Sequence, residues 1–228
     1  MASEPRFRPA LFRFLADLAV NNDRTWFQEN RDRYERDVRG PALAFVAAMG
    51  PHLRRLSPHL QADPRPTGGS LFRIHRDVRF SRDKSPYKTH VGIQFRHDAG
   101  RDAHAPGLYL HLEPRGSFVA AGVWRPDTAS ARRIRAAIAS EPDAWRVSGA
   151  ALAGDGWESQ GERLARAPRG FRPDHPLIDD LKRKSWIELR SLTQREVTRA
   201  GFPERLGERL LPARSRLGFL CRALGLPF

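Results

Sequence analysis

The apolar residues change their spacing once, after Gly69, and that change restricts the chain to folds that combine helices with a sheet. Before it, Leu43, Val46, Met49, Leu53, Leu56 and Leu60 recur at three- and four-residue steps, the stripe of an amphipathic helix. After it, Phe72, Ile74, Val78 and Phe80 alternate with Arg73, His75, Asp77 and Arg79, the two-residue period of a strand, with a break allowed near Arg76-Asp77. Val91, Ile93 and Phe95 continue the alternation. Leu108, Leu110 and Leu112 do the same against Tyr109, His111 and Glu113. The turn Pro114-Arg115-Gly116 leads into a fourth strand, Phe118 to Trp124. Short connections and half-polar faces predict an antiparallel sheet with one side covered.

Helices are expected on both sides of this meander. Leu11, Leu15 and Leu18 mark the first. Asn22 is read as the N-cap of a second, running from Asp23 to about Val38, with Phe27, Tyr34 and Val38 facing inward. Gly40-Pro41 is expected to start a third and Gly50-Pro51 to kink it. Asn21, Asn22 and Trp26 are assigned to capping and packing, with lining of the site as the alternative. Beyond the sheet, Pro126-Asp127 opens a helix with Ala131, Ile134 and Ile138 inward, and Glu141 to Ala153 forms another. A short edge strand is expected near Leu164, a helix over Leu177 to Lys184 with Lys182, Arg183 and Lys184 solvated, and a late strand over Ile187 to Leu192. Arg195 to Leu224 reads as broken helical pieces. The class is α+β: N-terminal helices packed on a mainly antiparallel sheet of about four to six strands, with further helices in the C-terminal third. Residues 1–228 are expected to form a single α+β domain: 1–61 helical, 70–124 the meander, and 125–228 mainly helical.

Lys and Arg number 40 against 26 Asp and Glu, a net charge of +14, which favours anionic partners. Both halves of the chain carry the same excess, so no basic tail accounts for it. The single cysteine, Cys221, cannot form an intrachain disulfide or a cysteine-based zinc site. No run approaches the ~18 apolar residues of a membrane span, and no membrane partner is expected. Arg6, Arg8, Arg13 and Asp17 interrupt what an export signal would need, so a cytoplasmic location is expected.

Chemistry concentrates between Arg73 and Thr89. Arg73, Arg76, Arg79, Arg82, Lys84, Tyr87 and Lys88 are the candidate ligand-binding residues, because guanidinium forks and ammonium groups bind phosphate and carboxylate. Pro86 stiffens the turn between Lys84 and Tyr87, and Val78 and Phe80 are expected to anchor it in the core. The competing reading is a salt-bridged hairpin in which Asp77 and Asp83 neutralise neighbouring arginines. Tyr109, His111 and Glu113 share one strand face. His111 and Glu113, with Asp77, are the candidate catalytic set, as general base and orienting acids. The outward residues Arg73, Asp77 and Arg79 are expected on the same face. His90, His97, His104 and His111 fall seven apart, a spacing that alternates faces in a strand and is read as coincidence. HExxH, paired CxxC, GxGxxG, Walker-type and GxSxG patterns are missing, so the sequence names no metal site and no cofactor.

Asn21-Asn22 with Trp26-Phe27, Arg76 to Phe80, Asp83 to Lys88, Tyr109 to Glu113, Pro168 to Phe171 and Asp174-His175-Pro176 together resemble the uncharacterised family catalogued as domain of unknown function 2461, conserved hypothetical proteins of bacteria and fungi. The resemblance covers nearly the whole chain and implies a self-contained domain with its signature in the Arg/Lys loop. It brings no activity. The leading functional expectation is binding of a phosphate- or carboxylate-bearing small molecule through Arg73–Lys88, with catalysis left open. The alternatives are a nucleic-acid binder using the same basic face and a protein-interaction module without ligand.

Overall fold

A computed structural model describes residues 6–100 and 105–228. Six strands among them form one antiparallel sheet: β1 Leu60–Gln61, β2 Val91–His97, β3 Gly107–Leu112, β4 Phe118–Val123, β5 Glu158–Gln160 and β6 Trp186–Ser191, in the order β1-β2-β3-β4-β6-β5. Before the meander come α1 Pro9–Val20, α2 Arg24–Glu29, α3 Arg31–Tyr34 and α4 Gly40–Leu56. After it come α5 Thr128–Ser140, α6 Pro142–Gly154, α7 Ile178–Leu181, α8 Gln194–Thr198, α9 Phe202–Leu210 and α10 Arg214–Leu224. The α+β reading holds. Among the described residues no helix is long and apolar enough to cross a membrane.

One face of the sheet carries Val91, Ile93, Phe95, Leu108, Leu110, Leu112, Val119 and Ala121, all buried. They share a core with Leu11, Phe14, Leu15 and Leu18 of α1 and Phe45, Val46, Met49 and Leu53 of α4. Burying each large side chain contributes about 1.5–3 kcal/mol, so this layer fixes which face the strands turn inward. A second cluster joins Val123 and Trp186 to Ile134, Ile138, Trp145, Phe219 and Leu220. The opposite face of the sheet is left for the site.

Several local expectations fail for identifiable reasons. Asp23, not Asn22, caps α2, its carboxylate accepting the Trp26 N–H at 2.9 Å. The second helix breaks at Asn30 rather than running to Val38. Gly40-Pro41 does not start a helix afresh. Glu35–Arg39 forms a π-turn, in which Gly40 N–H donates to Glu35 O, and the chain continues into α4. An α-helical path would set the Pro41 ring against the carbonyl four residues back, and the wider turn removes that clash. Near Leu164 there is only an isolated bridge, Arg163 to Arg183; the edge strand is β5, whose Glu158, Ser159 and Gln160 carry no apolar signal. The helix expected over Leu177 to Lys184 shrinks to α7, and Arg183 is not solvated. It is 3% exposed and bonds Ile187 O at 2.6 Å, Ser159 Oγ at 3.1 Å and Glu188 at 3.2 Å.

The largest departure is Phe72 to Phe80, which is no strand. Phe72 N–H donates to Gly92 O, and then the chain leaves the sheet in a narrow excursion whose arms bond each other. Lys88 N–H donates to Ile74 O and Arg76 N–H to Pro86 O, with a bridge between His75 and Tyr87. Backbone groups must find partners, and here the loop supplies its own. Ile74 reaches the core, but Phe72 lies on the other face, Val78 is half-buried and Phe80 is 95% exposed. Alternation would have carried all four inward only along an uninterrupted strand.

Candidate binding groove

The uncovered sheet face forms a groove of about 650 Å³. Antiparallel pairing sets Tyr109 opposite Gln94 and Ala120, His111 opposite Gly92 and Phe118, and Ile187 opposite Gly122. Paired residues share a face, so these side chains line the groove together, joined by Phe72, His90 and Trp124. Its floor is low because it is built of Ala120 and Gly122, while Gly92 leaves room for the Tyr109 and Phe72 rings to close together. A Cβ at Gly92 would stand 2.8 Å from the Tyr109 hydroxyl and 3.1 Å from the Phe72 ring. Gly122 has φ +131°, and any Cβ there would strike the Trp186 carbonyl. A lining of rings around a few polar groups is the usual composition of a small-molecule site.

Those polar groups form a chain. The Tyr109 hydroxyl and His111 Nδ1 lie 3.1 Å apart, and His111 Nε2 lies 3.3 Å from Glu113 Oε2. A carboxylate only accepts, which favours a proton on Nε2 and leaves Nδ1 to accept the phenol O–H. The imidazole stacks on Phe118 at 4.8 Å and on His90 at 4.3 Å, which fixes its plane. Burial, helped by the Glu113 charge, pushes the Tyr109 phenol up to about 12, so it serves as a neutral hydrogen-bond donor rather than a phenolate. Burial above all, with His111 and Lys88 adding to it, pulls His90 down to about 4 and keeps that ring neutral at pH 7. The arrangement can orient a bound group through Tyr109 and move a proton along Tyr109, His111 and Glu113.

The Arg73–Lys88 loop lies beside this groove rather than in it. Asp77 is held by Arg79 at 2.7 and 2.9 Å, which keeps its carboxyl below the usual range, and it lines no part of the groove. The catalytic set therefore divides: His111 and Glu113 stand together, and Asp77 stands apart with its arginine. Arg76 pairs with Asp83, whose carboxyl is lowered by Ser85 and then by Arg76. Lys84 Nζ donates to Val78 O at 3.0 Å. Arg73 and Arg82 are exposed and have no carboxylate at ion-pair distance among the described residues. Tyr87, expected to bind ligand, is buried, stacked on Phe27 at 4.1 Å. Its backbone N–H donates to Asn22 Oδ1 and its carbonyl accepts from Asn22 Nδ2, both at 3.0 Å. Lys88 alone of the loop's cations meets the groove wall. Its ammonium sits 5.8 Å over the Phe72 ring and donates to Arg73 O at 2.6 Å, and burial, with Arg73 close by, lowers its pKa.

A family model described as conserved hypothetical protein (DUF2461) matches residues 10–215. The chain belongs to this family. Among curated proteins, nothing matches. The family match runs through the loop, the groove strands and Asn22 alike, and assigns a role to none of them.

The sequence reading missed Phe72, His90, Phe118 and Trp124 as groove residues, and it missed the glycines under them. A signal existed. Phe118, Ala120 and Gly122 occupy the same phase of their strand that Tyr109 and His111 occupy in theirs. The spaced histidines divide too: His90 stacks on His111, His97 stacks on His59, and His104 lies outside the described residues.

Proposed function

We propose that the protein binds, in the groove, a small molecule with a planar apolar body and one carboxylate or phosphate end. One observation carries this reading: a ring-lined groove of about 650 Å³ on the open sheet face, with Lys88 over Phe72 at its wall. The apolar body packs between Phe72, Tyr109, Phe118 and Ile187, and the Tyr109 hydroxyl orients it. The anionic end meets Lys88, with Arg73 next to it, so the Arg73–Lys88 segment contributes the charge and the sheet contributes the space. Half-buried Lys88, already turned toward the groove wall, supplies a charge-assisted bond to the anion.

A thermal-shift panel tests this, using aryl carboxylates and aryl phosphates against their neutral amides and alcohols. Ligands that bind the folded state raise the melting temperature by mass action. The expected result is stabilisation of the wild type by some anionic aryl compounds. Ala120→Leu, which fills the floor, should abolish it. Lys88→Gln should erase only the preference for the anion over its neutral analogue. Stabilisation untouched by Ala120→Leu would refute the groove. Stabilisation by oligonucleotides alone, collapsing as salt rises, would favour the nucleic-acid reading instead.

A further inference from the structure

We propose a second site, for a divalent transition-metal ion of the Zn²⁺ type, made by His59, His97 and Asp98. It lies at the β1 end of the sheet and is separate from the groove, none of whose lining residues it shares. Register builds it: Leu60 pairs with His97, so antiparallel pairing sets His59 opposite Asp98, whose N–H donates to His59 O at 2.8 Å. One donor atom from each side chain lies within 4.8 Å of the other two. His59 Nδ1 is 2.9 Å from Asp98 Oδ2, and His97 Nδ1 is 3.1 Å from Asp98 Oδ1. Tetrahedral bonds of about 2.0–2.1 Å place neighbouring donors about 3.3 Å apart, so an ion fits once the two imidazole–carboxylate contacts open slightly and the three donors, now within 4.8 Å, converge on one point.

The arrangement around His97 points to a cation. Its side chain is fully buried, and its Nε2 lies 2.8 Å from Pro227 O, a carbonyl that can only accept. That contact puts the proton on Nε2 and the lone pair on Nδ1, the backbone-carbonyl anchoring common for metal-binding histidines. The Ala99 N–H donates to that lone pair at 3.1 Å, a bond that an incoming ion would displace. Asp98 Oδ1 faces the same nitrogen at 3.1 Å, a contact between two acceptors that either a proton on Nδ1 or a bound cation relieves. The His59 ring, stacked on His97 at 5.3 Å and 9°, already turns Nδ1 toward the same carboxylate. Two imidazoles and one carboxylate suit Zn²⁺, Co²⁺ or Ni²⁺ rather than Ca²⁺ or Mg²⁺, and three protein ligands leave a coordination position for water.

The test titrates the tag-free, metal-stripped full chain with Co²⁺, read by its visible absorption, and then displaces it with Zn²⁺. Saturation at one equivalent is expected. Loss of even an outer partner of a ligand costs about 10–100-fold in metal affinity, so His59→Ala and Asp98→Asn should each weaken binding by about 100-fold or more. Both side chains are partly exposed, and Asp98→Asn is isosteric, so circular dichroism without metal should match the wild type. Should His59→Ala fail to fold, Asp98→Asn alone decides. His111→Gln should leave Co²⁺ binding unchanged. A wild type with no saturable Co²⁺ or Zn²⁺ uptake overturns the proposal. So does uptake that survives both substitutions, or that is lost with His111→Gln instead.

Discussion

The Arg73–Lys88 loop and the groove beside it are specified in opposite ways. The loop is dense in charge, and much of that charge is spent on the loop itself: Arg79 on Asp77, Arg76 on Asp83, Lys84 on a carbonyl. The groove is sparse in charge and owes its depth to small residues on its floor, Ala120 and Gly122. Concentrated charge in a sequence marks a place that must be held in shape. Space for a ligand is marked by small residues facing rings.

The contrast can be broken most severely at the groove floor. Gly122→Ala meets both a positive φ and the Trp186 carbonyl, so the protein should lose more than about 3 kcal/mol or fail to accumulate folded, as denaturant melts would show. Next is the clasp that ties the loop to the helices. Asn22→Ala leaves the Tyr87 N–H and C=O without partners, and each abandoned group costs about 1–3 kcal/mol where it is shielded from water. A loss of about 2–4 kcal/mol is expected from urea titration. A loss below about 0.5 kcal/mol would mean that water replaces Asn22 freely.

A smaller effect depends on pH. Between about 6.5 and 4 the unfolded state protonates His90 while the folded state resists, because the folded pKa is depressed. This contribution to stability is therefore present above 6.5 and is lost as pH falls toward 4. Melting temperatures measured across that window should fall less steeply for His90→Asn than for the wild type, and slopes that coincide would remove His90 from the account. The smallest effect belongs to the loop's surface pairs. A double-mutant cycle on Asp77 and Arg79 should give a coupling under about 1 kcal/mol, shrinking with salt, since both side chains are largely exposed.

The helical stripes and the meander were legible because burial imposes a period, and Leu11, Leu15, Leu18, Met49, Leu53 and the alternating leucines of β3 lie where that period puts them. The union of Tyr109, His111 and Glu113 was legible for the same reason. Phe72 and Phe80 were not, because their surroundings depend on where the chain leaves the sheet, which is decided by hydrogen bonds between the loop's own arms. Arg183 passed for solvated because a buried guanidinium looks like a surface one until Glu188 of β6 and Ser159 of β5 close on it. Asn22 looked like a cap because its real partner, Tyr87, is 65 residues away.

The π-turn at Glu35–Arg39 has a consequence for the length of this chain over evolutionary time. A π-turn carries one residue more than the α-helical turn it replaces, so a one-residue deletion there would leave Tyr34 and Phe45 facing the same core. Such a deletion would return Pro41 to α-helical surroundings, where it costs about 3 kcal/mol. The extra residue and the proline thus constrain each other: the shorter helix is open only to a lineage that first replaces Pro41, and the proline is open only to one that keeps the insertion.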